Sequence, residues 1–352
     1  PGVFIAASHF SDTNYDAVKN PKIHQIVQDG RNHLLTTSKK YDVITAEPPP
    51  PTNAGAVNLY TREYYELTKK ALKPGGIVSQ WIPLHSQTET HIYEHFRTFL
   101  ESFPYVMSWY PSKQELIIIG SNDPLDIDFK KIQKRLEHPA VKNVMGKIRF
   151  ENPFTLLGSI WFLKRELEAM GSRQRLITDN NASLEFFLSA PNAVSKENVY
   201  RFLKNRASFS SAISMVKNLT KADTENLKKF WDQRLNAEYA GDMFELGVQF
   251  LNKNDLRRAN EKLREAVKLD PSFVLAHYFL GNSLAAIRDF KQAENHFQSA
   301  IQLQPDFAEA HGALGNILAA QGNLDGAITK FEKAIDIKPN LFEAQINLGI
   351  AW

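Results

Sequence analysis

The chain has no cysteine, and this absence excludes several kinds of chemistry. Without a thiol there is no disulfide, no thiolate ligand for a metal and no cysteine nucleophile. No run of 18 apolar residues and no basic-then-apolar leader occurs, so the sequence predicts neither a membrane-spanning helix nor a secretory signal. Blocks of five or six like charges are missing too, and a net charge of +3 gives no support for nucleic-acid binding.

The composition is that of a folded protein with two or three domains. Of its 352 residues, 43% are hydrophobic and 23% are charged, which is ordinary for soluble globular proteins. The first residue is a proline rather than an initiator methionine, and Trp352 falls inside a repeat. We therefore expect a chain that is cut at both ends.

The C-terminal third repeats itself with a period of 34 residues. Leucine followed by glycine recurs at this spacing, and the glycines are Gly247, Gly281, Gly315 and Gly349. The period is typical of a helix-turn-helix solenoid. Glycine at this position lets the two helices of a repeat approach closely around a large side chain, which is Leu263, Phe297 or Phe331.

This pattern resembles the tetratricopeptide repeat. The resemblance implies an all-α solenoid at residues 235–352, with repeats at 240–273, 274–307 and 308–341 and part of a fourth at 342–352. It also implies a protein or peptide partner in the concave groove. His277 and His311 occupy one repeat position, and we expect them in the helix packing or in the groove.

The N-terminal part alternates strand-like and helix-like segments. Strands are predicted at residues 22–28, 41–46 and 75–81, and helices at 62–72 and 89–100. Segments 105–110 and 115–121 have no helix between them, so they should form an antiparallel hairpin at the sheet edge. The alternation favours a doubly wound α/β sheet at residues 1–125.

Residues 126–234 are expected to form a mostly helical extension. Amphipathic helices are predicted at residues 129–139 and 152–171, and in the second of them Trp161 and Phe162 have the spacing of a helix core. A loop followed by a short strand is predicted at residues 178–191.

Two acidic side chains follow predicted strands, at the end where open α/β sheets bind ligands. Asp29 follows the first strand and Glu47 the second, and Gly30 would let the backbone turn tightly beside a ligand. Each acid has a structural alternative. Asp29 is equally a turn residue or helix N-cap, and Glu47 a solvated residue before a rigid proline segment.

Three stretches around these acids read VQDGRNHLL, YDVITAEPPPP and NLYTREYYELTKKALKPGGIVSQW. In this order they resemble the polyamine aminopropyltransferase (spermidine synthase) family. The resemblance implies a Rossmann-like methyltransferase fold and S-adenosylmethionine or its decarboxylated form as donor, without a metal. It implies that Asp29 contacts the adenine beside Gly30, that Glu47 acts on the amine substrate, and that Gln80 lines the substrate pocket.

The chain is more narrowly similar to bacterial spermidine-synthase-like proteins with membrane segments upstream and repeats downstream. This implies a bacterial origin and a cytoplasmic location, or the cytoplasmic part of a membrane protein.

The sequence departs from the family pattern at two places. The family has two aspartates three residues apart, where this chain has Glu47 and Pro50. A polyamine is a polycation, so loss of one carboxylate argues against a spermidine-synthase substrate site. No GxGxxG loop occurs, and the family's first two strands are missing. We therefore expect an incomplete donor site, a broken sheet or displaced first strand, and no activity of this chain by itself.

Two functions remain open from the sequence. One is a sulfonium-dependent group transferase with an interaction domain and an unknown acceptor. The other is a non-catalytic scaffold, in which a degenerate transferase fold supports protein binding by the repeats. His91 and His95 have a spacing compatible with zinc, but without a third ligand we expect them on a solvated helix face.

Overall fold

The computed structural model describes residues 19–47, 55–84, 87–112, 115–148, 150–181 and 205–352. The chain divides into two compact units. Unit 1 comprises Pro1–Ile127, Ile160–Val194 and Asn205–Met215, and unit 2 comprises Asp128–Ser159, Ser195–Lys204 and Val216–Trp352. The extension predicted at residues 126–234 is thus shared between the two units rather than standing apart.

The strands are β1 (Tyr41–Ala46), β2 (Leu72–Pro83), β3 (Tyr105–Ser112), β4 (Glu115–Ser121), β5 (Ile127–Asp128), β6 (Ile160–Leu163) and β7 (Val216–Lys217). The first helices are α1 (Gly30–Thr36), α2 (Arg62–Lys70), α3 (Glu89–Ser102), α4 (Phe129–Leu136), α5 (Pro139–Lys147), α6 (Pro153–Gly158), α7 (Lys164–Gly171) and α8 (Phe209–Ile213). They are followed by α9 (Lys221–Asn252), α10 (Leu256–Leu269), α11 (Val274–Ala286), α12 (Phe290–Leu303), α13 (Ala308–Ala320), α14 (Leu324–Ile337) and α15 (Phe342–Ala351).

A mixed five-stranded sheet with the order β1-β2-β4-β3-β6 forms the centre of unit 1. β1 and β2 are parallel, whereas β2, β4, β3 and β6 are successively antiparallel. The predicted hairpin of β3 and β4 is confirmed. It does not end the sheet, because β6 pairs with the far side of β3.

The strand predicted at residues 22–28 is wrong. This segment has no regular structure, and Ile23, Ile26 and Val27 are exposed. A parallel strand needs a neighbour to complete its hydrogen-bonded ladder, and in the described residues β1 pairs only with β2. β1 is consequently an edge strand without a fully buried residue, and segment 22–28 lies outside the sheet without forming a strand.

The single helix predicted at residues 152–171 is also wrong, because helix α6, strand β6 and helix α7 occupy this stretch. Ile160, Trp161 and Phe162 are all buried in β6. The backbone amide of Phe162 donates to the Ser108 hydroxyl at 2.9 Å. A strand that is buried on both faces and a short buried helix can have the same run of apolar residues. Hydrophobic periodicity therefore does not distinguish them, and for this reason the prediction was wrong.

Aromatic side chains of α2 and α3 form much of the core of unit 1. Tyr65 meets Phe99 edge to face at 4.9 Å between ring centroids, and Phe99 packs on Phe103 at 4.7 Å. Val78 of β2 and Ile118 of β4 are fully buried as well. This core packs α2 against α3 and β2, while Phe99 and Phe103 lie against Gly120 of β4.

Helix α9 runs through the predicted boundary between extension and repeats. It begins at a capping box, in which Thr220 accepts from the Asp223 amide and Asp223 accepts from the Thr220 amide. No proline interrupts the helix up to Asn252. The C-terminal half of α9 is therefore the first helix of the first repeat.

The repeats in unit 2 are built as predicted. α9 pairs with α10, α11 with α12, and α13 with α14, each as an antiparallel helical hairpin. A Cβ on Gly247, Gly281 or Gly315 would lie only 2.5–2.6 Å from Leu263, Phe297 or Phe331 respectively. The recurrent glycine is therefore required by close approach of the large side chain.

Each helical hairpin turns through one left-handed residue followed by an N-cap. The left-handed residues are Asn254, Arg288 and Gly322, and the N-caps are Asp255, Asp289 and Asn323. His277 and His311 belong to the helix packing, because the Nε2 atom of each lies 3.1 Å from the carbonyl oxygen of Pro271 or Pro305.

Candidate functional site

Asp29 and Gly30 lie at the start of the short helix α1. Asp29 is its N-cap, since Oδ1 accepts a hydrogen bond of 2.8 Å from the Asn32 amide. The structural alternative raised from the sequence is therefore correct, and the adenine contact stays a prediction. A Cβ on Gly30 would meet nothing within 4 Å, so the backbone here is open to an approaching ligand.

Arg31, which the sequence did not single out, connects two of the three motif-bearing stretches with the segment that contains Asp179. Its Nη1 donates to the Asn58 carbonyl at 2.9 Å and to Asp179 Oδ1 at 2.8 Å, and its Nη2 donates to Asp179 Oδ2. The Asp179 amide donates to Glu63 Oε2 at 3.1 Å. In the sequence, the position of Arg31 directly after Asp29-Gly30 was the one sign of a role for it. Its partner Asp179 is 148 residues away, so the ion pair could not be predicted.

The Arg31–Asp179 pair is a bidentate ion pair at a partly buried position. The hydrogen bond from Arg31 lowers the pKa of Asp179, and the hydrogen bond to Asp179 raises that of Arg31. Nearby, burial raises the pKa of Tyr64 to about 12, and the negative charge of Asp29 contributes to this rise. The pair thereby joins α1, the entrance to α2 and the segment that contains Asp179.

Glu47 directly follows β1 and is exposed. Ala46, the last residue of β1, pairs with Gln80 in β2, so the carboxyl ends of these parallel strands lie side by side. No hydrogen bond or ion pair in the described residues joins Glu47 to Asp29. Pro50 lies outside the described residues.

Gln80 is fully buried and has an unused acceptor. Its Nε2 donates to the Trp81 carbonyl at 3.2 Å, while its Oε1 has no hydrogen-bond partner among the described residues. In the same described part of the chain the hydroxyl of buried Tyr60 also lacks a hydrogen-bond partner, and burial raises the pKa of Tyr60. Buried polar atoms are usually satisfied, so these two atoms are candidates for contact with a ligand.

His95 is buried rather than solvated, which corrects the prediction from the sequence. Its ring lies 4.8 Å from that of Tyr60, and its Nε2 is 2.9 Å from Gln87 Oε1. Burial lowers the pKa of His95 to about 3, so the ring is neutral and Nε2 donates to Gln87. Among the described residues, no three histidine, aspartate or glutamate side chains are grouped as metal ligands would be.

A second candidate site is a cavity of about 100 Å³ between the first helices of consecutive repeats. The cavity is lined by Tyr278 and by small or aliphatic residues. Its other lining residues are polar or charged: Asn282, Asn316, Asn347, Glu309 and Glu343. Asn347 donates to Asn316 Oδ1 at 2.7 Å, and Asn316 donates to Glu343 Oε1 at 3.4 Å. The cavity therefore presents amide groups and carboxylates on an apolar floor.

Comparison with known families places both parts of the chain. Residues 5–130 match the model of the spermine/spermidine synthase domain, and residues 244–287 and 280–341 match that of the tetratricopeptide repeat. The chain carries a spermidine synthase domain and tetratricopeptide repeats. Within the described ranges, no helix combines the length and apolar character needed to cross a bilayer.

The spermidine synthase domain has curated relatives in archaea and plants. The polyamine aminopropyltransferase of Korarchaeum cryptofilum is 25% identical over 170 residues, covering 46% of this chain and 51% of that protein. The thermospermine synthase of Arabidopsis thaliana is 25% identical over 185 residues, covering 49% of this chain and 52% of that protein. The chain thus spans about half the length of these relatives.

The repeats are similar to those of solved structures. MamA is 27% identical, with a TM-score of 0.32, and the match covers 38% of this chain and 84% of MamA. The first repeat domain of Spaghetti (RPAP3), solved with the HSP90 peptide SRMEEVD, is 20% identical with a TM-score of 0.32. That match covers 33% of this chain and 91% of the other.

Proposed function

We propose that the spermidine synthase domain belongs to a group transferase with an S-adenosylmethionine-type donor, and that the repeats bind a protein or peptide. The observation that carries the first part is the Arg31–Asp179 ion pair. It joins the Asp-Gly-Arg stretch and the entrance to α2, which both carry the resemblance, to the segment that contains Asp179. The acceptor is an amine or another nucleophile.

The described residues include candidates for contact with one side of such a donor and with its acceptor. The Gly30 backbone is open, and Gln80 Oε1 and the Tyr60 hydroxyl are buried polar atoms without a hydrogen-bond partner in the described residues. When bound, a sulfonium donor would supply an electrophilic carbon for transfer to the acceptor nitrogen, with a neutral thioether as the leaving group. We assign adenine contact to Asp29, acceptor orientation to Gln80 and proton removal from the acceptor to Glu47.

A general base of this kind contributes roughly a hundredfold or more to the rate. Glu47 is suited to the role because its carboxylate is exposed at the carboxyl end of β1. The proton leaves the acceptor nitrogen as the new carbon–nitrogen bond forms, so the carboxylate ends the step protonated. Solvent then removes that proton from the exposed side chain.

The alternative function is a scaffold. Two observations favour it: Pro50 replaces a carboxylate, and segment 22–28 does not join the sheet. Calorimetric titration with S-adenosylmethionine, its decarboxylated form and methylthioadenosine separates the two functions. The titration uses this chain and a chain extended upstream through the two strands of the family fold.

Binding by the extended chain, abolished by Asp29→Ala, is expected for the transferase. Asp42→Ala is the matched control, because Asp42 is exposed and pairs with Lys73 on β2. A folded extended chain that binds none of the three compounds would refute the transferase and leave the scaffold.

A further inference from the structure

The cavity in the repeats is lined by many amide and carboxylate side chains, which the repeat fold alone does not require. Of its ten lining residues, three are asparagine and two are glutamate, whereas none is lysine or arginine. Asn282 and Asn316 stand one repeat apart, as do Glu309 and Glu343. The same chemistry is thus presented twice along the groove, at the spacing of the solenoid.

The cavity is sized for a side chain rather than for a metabolite. Its volume is about 100 Å³, whereas pockets for small-molecule ligands typically measure about 300–1,000 Å³. Gly312, Ala313 and Ala344 form a floor without bulky groups, and Tyr278 supplies an aromatic wall. An aliphatic stem would lie on this floor with its charged end at the rim.

The two glutamates differ in what they already bind. Glu309 Oε1 accepts from Lys338 Nζ at 2.6 Å, and this hydrogen bond lowers the pKa of Glu309. Glu343 is exposed and makes no ion pair within the described residues, where its side chain accepts one hydrogen bond, from the Asn316 amide. Glu343 therefore has a carboxylate oxygen available for an incoming cation.

The asparagines suit an extended backbone. Each amide carries both donors and an acceptor, which are the groups that a peptide bond requires. Asn282 is half-buried and has no hydrogen-bond partner in the described part of the chain. Asn347 donates to Asn316 and Asn316 donates to Glu343, and these two hydrogen bonds orient the amides.

We infer that this groove binds an extended segment of a partner protein, with a lysine or arginine side chain in the cavity beside Glu343. The inference rests on the proposed peptide-binding role of the repeats and not on group transfer. Charge complementarity selects a basic segment over an acidic one, because an acidic side chain beside Glu343 and Glu309 would be repelled.

The test uses the full chain and fluorescence anisotropy of three short labelled peptides with blocked ends. They share one alanine–serine background and differ only in carrying lysine, glutamine or glutamate at the same positions. We expect the lysine peptide to bind most tightly, and its affinity to fall as salt rises above about 0.15 M. Glu343→Gln should weaken it by about tenfold.

Glu332→Gln is the matched control, since Glu332 is exposed on α14 and does not line the cavity. It should leave the affinity unchanged, and circular dichroism should show equal folding of both variants. Tighter binding of the neutral or acidic peptide, or no effect of Glu343→Gln, overturns the basic preference but keeps peptide binding. Absence of binding by all three peptides overturns both.

Discussion

Replacing Gly281 by alanine should destabilise the repeats, although alanine is the better helix former. An ideal Cβ at this position would lie 2.6 Å from Phe297 Cε1 and 2.8 Å from Cδ1. Favourable carbon contacts lie at about 3.5–4.0 Å, so the ring must retreat by about 1 Å. The ring is buried within a continuous cluster with Leu280 and Leu314, which leaves it little space.

The magnitude is a balance of two effects. Overpacking a filled core costs about 1–3 kcal/mol, and Gly→Ala in a helix gains about 1 kcal/mol. We therefore expect a net loss of up to about 2 kcal/mol for Gly281→Ala. Gly349 has the same repeat position, but a Cβ there would meet nothing within 4 Å. Gly349→Ala should consequently stabilise the helix by up to about 1 kcal/mol.

Urea unfolding followed by circular dichroism measures the sign for each variant. Hydrogen exchange in α11 and α12 measures the loss locally, because two compact units need not unfold together. In a Phe297→Ala background the ring is gone, so Gly281→Ala should become neutral or stabilising. Equal effects of Gly281→Ala and Gly349→Ala, or an unchanged effect in the Phe297→Ala background, would refute the close-approach argument.

Three further predictions concern single groups. Burial lowers the pKa of His95 from 6.5 to about 3. Its stabilising contribution is thus complete above pH about 6.5 and is lost toward pH 3, at about 1.4 kcal/mol per pH unit. His95→Gln should flatten this part of the pH profile of urea unfolding, with exposed His24→Gln as control, and an equally steep profile would contradict it. Arg288→Gly should raise the thermal stability of the repeats by about 0.5–1 kcal/mol, because Arg288 is left-handed at φ 63°; lower stability would argue against strain there. A double-mutant cycle of Arg31→Ala and Asp179→Asn should give a coupling of about 1 kcal/mol at neutral pH, since the pair is partly exposed. Arg31 lowers the pKa of Asp179, so the coupling should persist above pH about 3.8 and disappear on further acidification; a coupling near zero at pH 7 would show that the contact does not stabilise the fold.

The sequence by itself determined those helices and strands whose specifying residues are close together along the chain. The 34-residue period specified the repeats, and the glycines facing Leu263, Phe297 and Phe331 followed from that period alone. Strand β1 lies where alternation of strand and helix segments placed it, and so does helix α3 apart from its last two residues. In these cases the residues that specify the element lie within it or one repeat away.

Tertiary structure decided what depends on distant partners. Segment 22–28 has the apolar content of a strand, but a strand exists only beside another strand, and none receives it. Segment 160–163 has the spacing of a helix, but pairing with β3 and burial on both faces make it a strand. Arg31 and Asp179 meet across 148 residues, and no local pattern encodes that contact. The sequence alone therefore identified the two architectures and the acidic candidates, while the partners of Arg31, the burial of His95 and the acidic asparagine groove required the folded chain.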